Sequence, residues 1–189
     1  MKKLFVVIIC SLFCMGIKAQ SIPAKLMDLH PADEHIECGF IEENVMPKLH
    51  KTETREGTLV YQAPDYLRLD YKEPKGDYML FDAEKVEQVK NGKKQTVKIK
   101  GRDNRYSRYR ATLLSCLAGD IENAALLNDA KYSCKQDGKK YICTITAANA
   151  GKSDVKQIEL EYDVTTGKVL KIVLTEGNGN YATYTTVNK

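Results

Sequence analysis

Histidine, cysteine, acidic and arginine side chains are where chemistry could sit in this 189-residue chain. His30, His35 and Cys38 lie close together, and imidazole and thiolate are zinc ligands. Their spacing fits no standard set, and neither a CxxC pair nor a paired-histidine spacing occurs, so no metal and no cofactor is expected. A hydrolase elbow of the G-x-S-x-G type is absent, and the histidines all fall before residue 51 without an obvious partner. Acidic residues abound, yet none sits in an apolar run that would raise its pKa for acid–base work. The residues point away from an enzyme.

Two further groupings carry chemistry of another kind. Cys134 and Cys143 flank the turn Gln136-Asp137-Gly138-Lys139, and Asp-Gly between alternating runs marks a tight hairpin. Any register closing near that turn puts both cysteines on one face, which allows a cross-strand disulfide or two small buried thiols. Cys38 and Cys116 are the other cysteines beyond the leader, and four cysteines allow three pairings. Arg102, Arg105, Arg108 and Arg110 interleave with Tyr106 and Tyr109. That cluster reads as a solvated helix face, or as a surface for lipid phosphates or an acidic partner.

Compartment narrows these choices. Lys2 and Lys3, the apolar run from Leu4 to Ile17, and Lys18-Ala19-Gln20 form the pattern of a secretory signal peptide, too short to stay in a bilayer. Cleavage is expected after Ala19. Phe13 before Cys14 and Ile9 before Cys10 are too large for a lipid-anchoring signal. The formal charge of +4 rests on 29 basic and 25 acidic residues, and the leader holds three lysines and no acid. The mature chain is therefore nearly neutral, and nucleic-acid binding loses its support. An exported, soluble, periplasmic protein is expected, with residues 20–189 forming one domain of about 170 residues.

The elements that position these residues are mostly strands. Gly57 to Pro74 alternates through two runs, with Leu59 and Tyr61 on one face of the first and Leu67, Leu69 and Tyr71 on one face of the second. Ala63-Pro64-Asp65 makes the corner between them. A long strand over His35–Lys51 is expected, with Ile36, Cys38 and Phe40 on one face and Pro47 at an edge or bulge. Tyr78 to Asp82 is a further strand, and Asn91-Gly92 closes a lysine-rich hairpin whose charge suits a sheet edge. Helical spacing appears once, at Tyr106, Tyr109, Leu113, Leu114 and Leu117; Gly119 stops that helix and Asp120 caps a second. Four or five strands follow. Such a chain is mainly β: one antiparallel meander that must curl, covered by a helical pair. Composition leaves open whether the curl encloses a packed core or an apolar cavity.

The block Gly57, Leu59, Tyr61, Pro64, Leu67, Arg68, Leu69, Tyr71 and Pro74 resembles the motif of the periplasmic outer-membrane lipoprotein carrier (LolA-like) family. The resemblance implies an unclosed barrel of about eleven strands with a helical lid over an apolar cavity. It also implies a shuttle for acylated lipoproteins, loaded by an inner-membrane transporter and unloaded to an outer-membrane acceptor; a monomer is expected. Under that reading the cavity would be lined by Phe40, Leu59, Tyr61, Leu67, Leu69, Tyr71 and Leu80, with Leu113, Leu114 and Leu117 from the lid. Two departures stand out. The family's latch arginine before the proline corner is Ala63 here, and the aromatic after the internal arginine is Leu69. Relatives of this fold also serve as lipoprotein-sensing regulators or acceptors, so a non-transporting interaction module is the alternative.

Overall fold

Period-two alternation builds eleven strands, and the sheet they form is continuous. The computed structural model describes residues 20–31, 34–152 and 154–187, so the expected leader at residues 1–19 lies outside the described residues. The strands are β1 His35–Met46, β2 Lys51–Gln62, β3 Tyr66–Tyr71, β4 Tyr78–Phe81, β5 Lys85–Lys90 and β6 Lys93–Lys98, then β7 Ala130–Asp137, β8 Lys140–Ala147, β9 Val155–Asp163, β10 Val169–Glu176 and β11 Tyr181–Val187. Their order is β6-β5-β4-β3-β2-β1-β11-β10-β9-β8-β7, so the first strand pairs the last and the two lysine-bearing hairpins end up at the edges. The sheet curls without closing into a barrel. This is the architecture expected from the alternation and the motif.

One expected strand breaks early. β1 ends at Met46, and Pro47–Leu49 forms a 3-10 turn that reverses the chain. Proline there loses no useful donor and its fixed φ suits the first turn position. β2 then starts at Lys51, well before Gly57, and pairs along its whole length from Met46↔Lys51 to His35↔Gln62. Its first half, Lys51 to Glu56, has charged residues on both faces and so carries no apolar signal. Gly57 is required by close approach. A Cβ there would stand 2.0 Å from the Asp70 carbonyl oxygen and 2.8 Å from the Phe40 ring.

Helices cover the concave side. α1 Ile22–Leu29, α2 Arg105–Leu117 and α3 Ile121–Leu126 are the α-helices among the described residues. Asn104 caps α2 with a capping box: its side chain accepts from the Tyr106 and Ser107 amides, and Ser107 Oγ accepts from the Asn104 amide. Gly119, at φ +70, stops α2, and the Asp120 carboxylate accepts from the Asn123 amide to start α3. α2 reaches β5 on one side, while α3 reaches β7 and β8 on the other. The C-terminal half of α2 is buried all round, and its polar groups are satisfied: Asn128 donates to Thr112 Oγ1 at 2.8 Å, and Tyr162 donates to the Cys116 carbonyl at 2.7 Å. Cys134 and Cys143 stand opposite each other on β7 and β8 and are joined by a disulfide.

Candidate functional site

The concave face divides into two ends. Toward the Ala63-Pro64-Asp65 corner, β1, β2 and β3 present Phe40, Leu59, Tyr61, Leu67 and Leu69, all buried. These join Leu113, Leu114 and Leu117 of α2 in one apolar cluster that also takes Leu26, Ile121 and Leu160. That end is packed core. At the other end the same three strands turn polar, with Glu42 and Asn44 on β1, Glu53 and Arg55 on β2, and Tyr71 closing β3. Here the sheet and helices enclose a cleft of about 870 Å³.

Of the residues expected to line a cavity, Tyr71 lines this cleft. Phe40, Leu59, Tyr61, Leu67 and Leu69, with the three lid leucines, fill the core beside it. Leu80 pairs with Arg68 and Glu87 and shares their outer face, opposite Phe81. The apolar wall is built by residues the motif did not single out: Met79 and Phe81 on β4, Val86 on β5, Val97 on β6 and Leu174 on β10. Tyr106 and Tyr109 of α2 face them, the latter with its ring centroid 6.0 Å from that of Phe81. Leu126, at the end of α3, sits at the mouth and is 80% exposed.

The floor is electrostatically unusual. Glu42 is only 5% exposed, although it lines the cleft. Its Oε1 accepts from the Tyr184 hydroxyl at 2.8 Å, and its Oε2 has no hydrogen-bond partner among the described residues. Leaving a buried carboxylate oxygen unsatisfied costs about 1–3 kcal/mol. The phenols around it respond: burial first, then the Glu42 carboxylate, holds the Tyr71 hydroxyl well above the usual phenol range. Tyr109 is pushed up by burial and then by Glu42 and Glu176, and Tyr184 by burial, then Tyr109 and Glu42. Arg55 lies 3.6 Å over the Tyr71 ring, but its guanidinium is held by the buried Asp77 at 2.8 Å.

The remaining groups singled out in the sequence are spread through the structure. His30 Nδ1 is 2.6 Å from Glu34 Oε2 and its Nε2 is 3.0 Å from the Gly167 carbonyl oxygen, while His35 meets Gln62. Cys38 is half-buried on β1. Cys116 is fully buried, which pushes its thiol up to about 12. Among the described residues no helix is long and apolar enough to cross a membrane.

The outer membrane lipoprotein carrier protein LolA family matches residues 34–188, which span the whole sheet and the lid helices α2 and α3. The chain belongs to the LolA family. No curated protein matches it. Among solved structures, a LolA superfamily protein from Nitrosomonas europaea is 9% identical, with 88% of this chain and 90% of that one covered and a TM-score of 0.41. A putative outer membrane lipoprotein-sorting protein domain from Vibrio parahaemolyticus is 10% identical, with 88% and 89% covered and a TM-score of 0.45. A chain of the MucA/MucB complex of Pseudomonas aeruginosa is 14% identical, with 87% of this chain and 53% of that one covered and a TM-score of 0.41.

In this LolA-family chain the lid is tied to the proline corner from the helix side. The Ala63 side chain has no donor, but Arg110 of α2 donates to the Asp65 carbonyl at 2.9 Å and to its carboxylate at 2.7 Å. The Arg110 side chain is 13% exposed, and its Nε has no hydrogen-bond partner among the described residues. The basic–aromatic cluster is thereby split. Arg110 serves the tie, whereas Arg105 and Arg108 stand at the cleft, half exposed, near Asp154 and Asp103. A signal for Glu42 did exist in the sequence: it is the next inward position after Ile36, Cys38 and Phe40.

Proposed function

We propose that the chain is an exported periplasmic carrier that takes lipoprotein acyl chains into the cleft and moves lipoproteins from the inner to the outer membrane. Family membership supports the class, and the cleft supports the mode. The observation that carries the proposal is the cleft itself, about 870 Å³ with Met79, Phe81, Val86 and Val97 along one wall. That size falls within the range of about 300–1,000 Å³ over which proteins hold small molecules. The task needs no reaction. Each methylene taken out of water is worth about 0.8 kcal/mol, so the acyl chains leave a membrane only for another apolar surface. An inner-membrane transporter would load the cleft and an outer-membrane acceptor would empty it. Exposed Leu126 at the mouth offers apolar surface at the point of transfer.

A second reading is favoured by the amide and charged side chains that share the lining, among them Asn44, Gln88, Gln95 and Asn128. A cleft of that chemistry also suits an envelope interaction module that senses a ligand without shuttling it. Native mass spectrometry of protein purified from a periplasm, followed by lipid extraction, tests the acyl binding that the carrier reading requires. Acylated species displaced by a fluorescent fatty acid support the carrier. Protein that holds no lipid and refuses the probe overturns it.

A further inference from the structure

The inference drawn here rests on the cleft being the binding site, and it concerns the ligand's polar head. Glu42 stands on the cleft floor among the rings of Tyr71, Tyr109 and Tyr184, with Oε1 occupied by Tyr184 and Oε2 unpartnered among the described residues. We infer that this floor is a head-group pocket for a primary ammonium carried on an acyl or alkyl chain.

Three observations converge on that chemistry. First, the carboxylate is buried, its Oε2 has no hydrogen bond of good geometry among the described residues, and the Tyr71 hydroxyl that approaches it is a neutral donor, so a charged donor gains most in this desolvated site. Second, each cation lining the cleft has an acid other than Glu42 beside it: Arg55 pairs with Asp77 at 2.8 Å, while Arg108 is near Asp103 at 3.7 Å, Arg105 near Asp154 at 3.9 Å and Lys90 near Glu53 at 4.0 Å. A second carboxylate, Glu176, also lines the cleft and acts on Tyr109 together with Glu42. The floor is thus biased toward positive ligands and against fatty-acid carboxylates. Third, the hydroxyls of Tyr71, Tyr109 and Tyr184 gather around this carboxylate, and a phenol oxygen can accept from an ammonium that the carboxylate holds. The apolar strip of Met79, Phe81, Val86 and Val97 runs beside this floor in the same cleft and gives the chain of such a ligand its place. An α-amino group on a diacylated lipoprotein and the ammonium of an ethanolamine phospholipid both present this chemistry.

Titration calorimetry with dodecylamine and with dodecanoate, each below its micelle concentration and at one ionic strength, reads the preference directly. The wild-type protein is expected to bind the amine about tenfold or more tightly than the acid, and Glu42→Gln to abolish that difference by weakening the amine alone. Equal affinities in the wild type, which needs no variant to be measured, overturn the inference while leaving the cleft intact as an acyl site. So does an amine preference that survives in a folded Glu42→Gln. If neither probe binds, the cleft reading fails and takes this inference with it. A diacylglyceryl lipopeptide with a free amino terminus, compared with its N-acetylated form, tests the lipoprotein source. Weaker binding after acetylation supports the inference and unchanged binding overturns it. Tighter binding of lysophosphatidylethanolamine than of either peptide supports it with a phospholipid as the source.

Discussion

Phe40 and Glu42 are two residues apart on β1, point to the same side of the sheet and are both buried, yet they belong to different environments. Phe40 presses on Gly57, meets Tyr71 edge-on at 5.4 Å and closes the packed end. Glu42 opens the other end, where charged strand positions replace leucines and the helices leave a cleft. The difference teaches that one strand pattern can build both a core and a site. Apolar residues on one stretch fill the curl, and polar residues on the next stop it from being filled. Stability should therefore reside at the corner end and ligand binding at the cleft end.

The sharpest way to break that division is at Gly57. Replacing it with alanine drives a Cβ into the Asp70 backbone and the Phe40 ring, so a loss of about 4 kcal/mol or more is expected in urea unfolding. A loss under about 1 kcal/mol would show that the packed end yields readily. Next in size, Leu67→Ala removes a buried core side chain and should cost about 3 kcal/mol. Its affinity for a fluorescent fatty acid should stay unchanged, as measured on the folded fraction. Met79→Ala should give the reverse result, because Met79 lines the cleft and is only half-buried. A stability change under about 1 kcal/mol with clearly weaker probe binding is expected, and equal behaviour of the two variants would erase the division.

The smallest effect contrasts two buried glutamates. Glu87, on the outer face of β5, accepts from Tyr78 on Oε1 and from Lys85 and Thr96 on Oε2, and Lys94 also pairs with it. The Tyr78 hydrogen bond, then those from Lys85 and Lys94, hold its carboxyl down at about 2, against 4.5 ordinarily. A lowered folded-state pKa stabilises above the ordinary value and is lost as pH falls through the folded one. Between pH 4.5 and about 2, the wild-type protein should lose more stability than Glu87→Gln in acid titrations followed by circular dichroism. Identical curves would show that these donors contribute nothing at Glu87. No such saturation exists at Glu42, where Oε2 has no hydrogen bond of good geometry among the described residues.

Alternation was enough to read the strands, the Asn91-Gly92 and Asp137-Gly138 turns and the helical pair, because period and turn chemistry are local properties. The expectation for the Gly57–Pro74 block was likewise local, and its residues do build the corner and the core. Two things in the site were hidden. The early half of β2, Lys51 to Glu56, carries no apolar alternation, since a strand that faces water and ligand has no need of leucine. And the inward apolar residues could not be sorted into core and cavity, because Leu69 and Met79 read alike until their register is fixed at Leu69↔Met79.

Residue types and spacing thus settled the one-sided sheet, the placement of its helices and the family, all of which follow from short-range periodicity and a contiguous motif. The three-dimensional packing settled where the curl closes and where it stays open. Arg110 reaches Asp65 across 45 residues of chain, and Glu42 meets Tyr184 across 142. Those contacts depend on the pairing of β1 with β11 and on how far the helices reach, and no stretch of the chain encodes either distance alone.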